Sequence, residues 1–404
     1  MKILMLAHRI PYPPRTGDKV RAYHIARHLS REHEVTLGFL MDEPEAPRAL
    51  AALRQEIPSL VYATIPRTRK RLQALLTLAC GGSATIKYFD SPELGAEIAS
   101  MLRACRFDLV YVSSSSMAQY VPPEDSTPIL MDFVDVDSDK WLQYGARLPL
   151  HKRWVYRLEG TRLRQHELSA ARRANRSVVA TQEEAALLHS FAPWAPITVI
   201  PNGVDLDYFN PARVPATNPT IAFTGAMDYF PNIDAVTHFC AEVFPSVRQK
   251  VPGARFLIVG KSPVPAVRRL AQAPGVTVTG TVPDVRPFMS QATVCVAPLR
   301  VARGVQNKVL EAMAMGLPVV ATTKAHEGLE AKPGEHLFVE DAPHTFADTV
   351  SNLLVNPERR ASVGRAARSF VETHHSWAGS MARLDQLLGE ITRTPITRTI
   401  GRVS

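Results

Sequence analysis

The stretch "TVCVAPLRVARGVQNKVLEAMAMGLPVVAT" (293–322) decides the fold. It opens on an apolar run, crosses a loop of Arg and Gly, enters a run of strong helix formers and returns to a β-branched run. Strand, loop, helix, turn and strand make one parallel βαβ unit, and strands without polar alternation need cover on both faces. Asn307 reads as the N-cap and "KVLEAMAM" as the helix. Gly316 supplies the left-handed stop, and Pro318 blocks continuation.

A helix start leaves free N–H groups, here on Lys308, Val309 and Leu310, with the positive end of the dipole behind them. That is an anion site before any side chain contributes. Arg303 and Lys308 add charge, and Gly304 lets the backbone approach closely. Glu311, one turn in, suits a diol, because a carboxylate accepts from two hydroxyls. A surface helix with ordinary charges explains the same residues. The preceding strand favours a ligand, since doubly wound sheets bind at the carboxyl ends of their strands.

The alternation extends in both directions. Strands are predicted near 2–7, 34–40, 60–64, 109–114, 128–134 and 177–181, then at 220–225, 255–260, 276–280, 293–299, 318–323 and 336–340. "VIPNGVDLDYFNPARVPATNP" (199–219) interrupts them and reads as a linker. The fold class is therefore α/β, with two units in series, each with its own parallel sheet. Two such units facing each other would enclose a cleft. The first helix is expected over Val20–Ser30. Residues from Thr345 to about Ile391 read as helical, and the polar tail as mobile.

Composition bounds the function. The chain has 404 residues, 46% hydrophobic and 21% charged, with a net charge of +9. That is a packed globular protein with an anionic partner: a nucleotide, a phosphorylated lipid, an anionic membrane or nucleic acid. Nucleic acid is not expected, because no recognised module is present. Cys80, Cys105, Cys240 and Cys295 lie far apart and read as buried free thiols of a reducing compartment. The run Ile3–Ala7 is too short for a signal-peptide core, and "LQALLTLA" (72–79) is too short to span a bilayer. The expected location is cytoplasmic. "RTRKRLQALLTLA" (67–79) and the basic stretch 147–176, with Trp154 and Tyr156, suit either an anionic membrane face or solvent. The first strand is followed by "HRIPYPPRTGDK", not G-x-G-x-x-G, which argues against a dehydrogenase.

"NKVLEAMAMGLPVVAT" (307–322) resembles the donor-binding segment of glycosyltransferase family 4, the retaining enzymes of GT-B fold. "HRIPYPPRTGDKVRAYH" (8–24), "DFVDVDSDKW" (132–141) and "PLRVARGVQNKVLEAMAMGLPVVAT" (298–322) resemble, more narrowly, the exosortase/PEP-CTERM-associated exopolysaccharide sugar transferases. The resemblance implies two Rossmann-like doubly wound domains facing across a cleft, over 1–200 and 220–372, joined by 201–219. It also implies a crossing helix over about 373–391, ahead of a tail over 392–404. The donor would be a nucleoside diphosphate-sugar, a co-substrate, with no cofactor. The acceptor would be a glycan or lipid-linked glycan. Glu311 would hold the donor ribose, and the backbone of Lys308–Leu310 the pyrophosphate. Gly17 would approach the same phosphates, and Thr281–Val282 would lie by the nucleobase.

Three positions depart from the family pattern. Arg303 stands where the family has a Glu facing the donor sugar. Ala226 and Asn232 stand where it has two cations that clamp the diphosphate. Arg303, Lys308 and Lys261 are the proposed replacements, because the leaving group still develops charge. "DVDSD" (135–139) contains D-x-D, read as a metal site, as acceptor contact by Asp135 or Asp137, or as local capping. No bound metal is expected. His8 and Asp18 are acceptor-side candidates, Asp18 for a base or orienting role or as a cap. The residues assigned to catalysis are Arg303, Lys308, Asp18 and Asp135. Two rivals stay open: a nucleotide-sugar epimerase and a non-catalytic nucleotide-sugar-binding regulator. "THH" (373–375) reads as a helix-surface pair rather than a zinc site.

Overall fold

Strands that are apolar on both faces must be covered on both, and the chain builds two such sheets. A computed structural model describes residues 1–14, 17–42, 46–146, 149–211, 218–302 and 304–393. The chain divides into two units: residues 1–200 with the chain from Met381 onward, and Pro201–Ser380.

The first unit holds β1 (Lys2–Ala7), β2 (Glu34–Met41), β3 (Ser59–Thr64), β4 (Leu109–Ser113), β5 (Ile129–Val134), β6 (Arg176–Val179) and β7 (Ile197–Val199). They form a seven-stranded sheet ordered β3-β2-β1-β4-β5-β6-β7. All neighbours run parallel, and Met5 pairs with Leu37 on one side and Tyr111 on the other. The second unit holds β8 (Thr220–Thr224), β9 (Arg255–Val259), β10 (Val276–Gly280), β11 (Val294–Ala297), β12 (Val319–Ala321) and β13 (Phe338–Val339). Its six strands are parallel in the order β10-β9-β8-β11-β12-β13. In each sheet the winding reverses beside the first strand, at β1/β4 and at β8/β11, which is where doubly wound sheets open a crevice. β11 leads into helix Asn307–Ala314, so that helix starts at the second crevice.

The end of this helix follows its local sequence. Gly316 adopts φ +68°. Its N–H donates to the Met313 carbonyl at 2.9 Å, and the Leu317 N–H donates to the Ala312 carbonyl at 3.0 Å, a Schellman closure. Helix Pro357–His374 presses on the same turn. A Cβ added at Gly364 would stand 2.1 Å from the Gly316 carbonyl oxygen.

Several boundaries differ from the sequence reading. β7 lies at the start of the expected linker; three half-buried residues are too short to show periodicity. The first helix starts at Gly17 rather than Val20. The C-terminal region is three helices, Pro343–Val355, Pro357–His374 and Trp377–Arg393. Position 373, taken as the start of the crossing helix, falls within the second of them. The next helix, Trp377–Arg393, runs through the unit boundary after Ser380. His374 is exposed, but His375 is buried, with Nδ1 3.2 Å from the Asn202 carbonyl, so the two do not form a surface pair. All four cysteines are free thiols, but only Cys295 is buried and Cys80 is exposed.

One buried ionic group ties the first unit together. Arg21, on helix Gly17–Glu32, donates from Nε to Asp132 Oδ2 on β5 at 2.8 Å and from Nη1 to the Ile200 carbonyl at 2.9 Å. Tyr111 on β4 donates its hydroxyl to the same Asp132 oxygen at 2.6 Å. All three side chains are shielded from water. Removing one member strands a buried charge, so Asp132→Ala should destabilise the chain by about 3–5 kcal/mol. The Arg21→Met/Asp132→Leu pair should recover most of that loss. Denaturant midpoints check both, and equal losses in the single and paired variants would contradict the reading.

Candidate functional site

The loop from β11 to helix Asn307–Ala314 is pinned before it reaches the helix. Thr322 Oγ1 donates to the Leu299 carbonyl at 2.5 Å, and Arg300 pairs with Asp234. One of the two arginines in "RVARG" is therefore spent on a local ion pair. Arg303, the other, lies outside the described residues. Gly304 takes φ +59°, a left-handed turn that a side chain resists.

That turn delivers the chain into the helix one residue earlier than expected. Gln306, not Asn307, is the N-cap, and no side chain caps the first turn. The long Gln306 amide bonds back to the Gly304 carbonyl at 3.1 Å instead. Asn307 is the first helical residue, and its buried Oδ1 has no hydrogen-bond partner among the described residues. The Val309 and Leu310 N–H groups both donate to the Gln306 carbonyl, at 2.8 and 3.3 Å. They are not the free anion donors that the sequence suggested. Among the described residues, the N–H groups of Asn307 and Lys308 have no partner, so the free donors of the first turn lie there.

Lys308 turns its ammonium toward Asn232, donating to Oδ1, and sits 4.6 Å above the centre of the Phe223 ring. Asn232 is buried on helix Phe230–His238, and its Nδ2 donates to the Ala226 carbonyl at 2.9 Å. Positions 226, 232 and 308 thus meet, although only 308 carries charge. Glu311, half-buried one turn on, has no hydrogen-bond or ion-pair partner among the described residues. A small cavity lies against the helix, lined by Thr224, Cys295, Ala297, Lys308 and Val309. Burial holds the Lys308 amine down to about 7, against the opposing pull of Glu311. Burial pushes the Glu311 carboxyl up to about 7, with Lys308 opposing. The site therefore contains an acid and an amine that both titrate near neutrality, an arrangement typical of functional sites.

Lys261 follows β9. Its carbonyl accepts from the Met227 N–H at 2.8 Å, and its ammonium has no partner among the described residues. Thr281 is exposed and Val282 half-buried in the turn after β10. Beside them Arg286 and Tyr208 both bond Asp284, and the Arg286 guanidinium stacks 3.9 Å from the Tyr208 ring centre. Hydrogen bonds from Arg286 hold the Asp284 carboxyl down to about 2.

The remaining candidates belong to the first unit. Gly17 is the exposed first residue of its helix; Asp18 follows it in the helix, and its side chain is outside the described set. His8 packs edge-on against Phe89 at 5.2 Å. Asp135 and Asp137 both pair with Lys140 at 2.9 Å. Among the described residues no group of three or more His, Cys, Asp or Glu is placed to hold a metal ion. β4 separates β1 from β5, so His8 and Asp135 emerge two strands apart. Two features escaped the sequence. Val134, just before Asp135, has φ +65°, which is strained for a β-branched residue. Buried Asp42 takes Arg9 Nε and the Tyr88 hydroxyl at 3.2 Å each, partners too far apart in sequence to suggest one cluster.

Comparison with known proteins bears on the fold and on family likeness. Residues 16–208 match the family described as Glycosyltransferase Family 4, and 218–356 match Glycosyl transferases group 1. The two matches together span most of the chain. A GDP-mannose-dependent α-(1-6)-phosphatidylinositol monomannoside mannosyltransferase of Mycobacterium tuberculosis is 28% identical over 49% of this chain and 57% of its own. A monoacylated-substrate counterpart from Corynebacterium glutamicum is 29% identical over 47% and 55%. The chain spans a little over half the length of the curated relatives it matches. Among solved structures, sucrose-phosphate synthase of Thermosynechococcus elongatus has a TM-score of 0.73 at 17% identity, covering 97% of this chain and 99% of that one. HepE of Anabaena, solved with UDP-glucose, has a TM-score of 0.70 at 14% identity over 96% and 100%. These likenesses show the GT-B fold.

The Lys308–Glu311 pair makes the stability of this chain depend on pH. Between the ordinary carboxyl value of 4.5 and about 7, folded Glu311 holds a proton that the unfolded chain has lost, so stability falls as pH rises. Between about 7 and 10.5 the unfolded Lys308 holds the extra proton, so stability rises again. Melting of the ligand-free chain against pH should show Glu311→Gln weakening the acid-side fall and Lys308→Met the alkaline rise. Wild-type slopes in both variants would contradict these environments.

Proposed function

We propose that this chain transfers a sugar from a nucleoside diphosphate-sugar to a lipid-linked glycan acceptor, with retention of configuration. The observation that carries the reading is the Lys308 ammonium beside Asn232, at a helix start with two free N–H groups. Glu311 supplies an unpaired acceptor for the ribose hydroxyls. Lys261 and Arg303 complete the cationic set in this reading, while Thr281 and Val282 flank the base and Gly17 approaches the phosphates.

In the proposed reaction the bond between the anomeric carbon and the phosphate oxygen breaks, and the acceptor oxygen bonds to that carbon. The acceptor proton passes to the departing diphosphate, so no protein base is required. The charge that develops on the leaving group is where Lys308 acts, and a diphosphate beside it favours the protonated amine. Asp135 and Asp137, both paired with Lys140, fit a role in shaping the acceptor side better than proton transfer. His8 and Asp18 stand in the same acceptor-side proposal.

The lipid-linked acceptor is supported by the curated relatives, whose names specify phosphatidylinositol mannosides. The exopolysaccharide role, in an exosortase/PEP-CTERM setting, rests on the three motifs quoted above. A cytoplasmic location, peripheral to the inner face of the cell membrane, completes the proposal. No helix among the described residues is long and apolar enough to cross a membrane.

Release of nucleoside diphosphate from UDP-glucose or GDP-mannose, with and without a lipid-linked saccharide acceptor, tests the proposal. Release should depend on acceptor, and Lys308→Ala should lower kcat by about 10²–10³. Activity within about threefold of wild type, under 1 kcal/mol, would remove Lys308 from the mechanism. Nucleotide-sugar binding without turnover would favour the regulator.

A further inference from the structure

Helix Arg67–Ala79 wears its apolar residues on the wrong side for a soluble surface helix. Lys70, Ala74 and Leu78, four residues apart, form its buried face. Leu72, Leu75 and Leu76 fall on the opposite face and are 61%, 61% and 59% exposed. Exposed Ala79 extends the same stripe by one turn. A single exposed leucine is ordinary, but three on adjoining turns form a patch that water does not favour.

The charges around this patch name its occupant. Arg69 and Arg71 are exposed, flank the leucines at helical spacing, and have no ion-pair partner among the described residues. No carboxylate lies on the helix itself. A neighbouring helix repeats the pattern. Leu150 and Trp154, one turn apart on Leu150–Arg173, are 80% and 62% exposed, with exposed Arg153 and Arg157 beside them. Arg162 of that helix donates to the Gly82 carbonyl at 2.9 Å, just beyond the end of the first, so the two elements adjoin.

We infer that helix Arg67–Ala79 lies in the headgroup layer of an anionic bilayer. Its leucines enter the acyl boundary, and Arg69 and Arg71 meet lipid phosphates. An apolar stripe between unpaired cations is the pattern of an interfacial helix. A second copy of the chain would bring the same arginines against each other, which disfavours a symmetric dimer through this face. Leu150 and Trp154 supply a second weak contact, and stable attachment by short apolar elements needs more than one. The inference names a surface and does not depend on the transferase reading.

Co-sedimentation with phosphatidylcholine vesicles, with and without phosphatidylglycerol, tests it on the full chain. The wild type should pellet with the anionic vesicles only, and less as salt rises from about 0.1 M to about 1 M. Leu72→Ser/Leu75→Ser/Leu76→Ser and Arg69→Glu/Arg71→Glu should each weaken the partition at least about tenfold. Far-ultraviolet dichroism and melting midpoints identify any variant that has lost its fold. Single Leu75→Ser and Arg71→Glu variants, with smaller losses of the same sign, then replace it. A wild type that stays in the supernatant, or folded variants that bind undiminished, would overturn the inference. So would sedimentation showing a dimer that the leucine variants dissolve, since a second copy would then cover the stripe.

Discussion

An amine held partly out of water gains its charge most readily beside an anion, and the second unit of this chain holds Lys308 in that way. Its ammonium meets an amide oxygen and an aromatic face, Asn232 and Phe223, and no carboxylate within ion-pair distance among the described residues. Burial has already drawn its pKa to about 7. Such a group gains most when a diphosphate arrives, because the new charge offsets the lost hydration. The family pattern places cations at the positions of Ala226 and Asn232. Here the charge comes from a helix on the far side of the β8/β11 crevice, and Asn232 remains to receive it.

The sheet makes that delivery possible. β8 and β11 run side by side, so the loop after β8, carrying Ala226, and the helix after β11, carrying Lys308, rise from one edge. Gly304 sets the angle of entry, and the Schellman closure at Gly316, pressed by Gly364, fixes the other end. A helix held at both ends keeps Lys308 and Glu311 at a constant offset.

What the sequence revealed was local. Apolar β-branched runs gave the strands, and Gly316 with Pro318 gave the helix stop, because each depends on neighbours in the chain. The helix start was misread by one residue, since a left-handed Gly304 left Gln306 in the capping position. Contacts between distant residues were not legible. Lys308 and Asn232 are 76 positions apart, and Arg21 and Asp132 are 111. The D-x-D motif drew attention to Asp135 and Asp137, whereas the aspartate that organises the first sheet is Asp132, hidden in a strand. Exposure was equally invisible: "RTRKRLQALLTLA" suits either a membrane face or solvent by sequence, and only the fold shows three of its leucines turned outward.

Proton uptake on diphosphate binding tests the central assignment most directly. Calorimetric titration of UDP and GDP into the ligand-free chain at about pH 8, in buffers of different ionisation enthalpy, counts protons exchanged. Lys308 is largely neutral there before binding, so up to about one proton should be taken up with the nucleotide, and Lys308→Arg should bind without uptake. Tight binding with no proton uptake in the wild type, or the same uptake in Lys308→Arg, would show that the diphosphate does not rest on this ammonium.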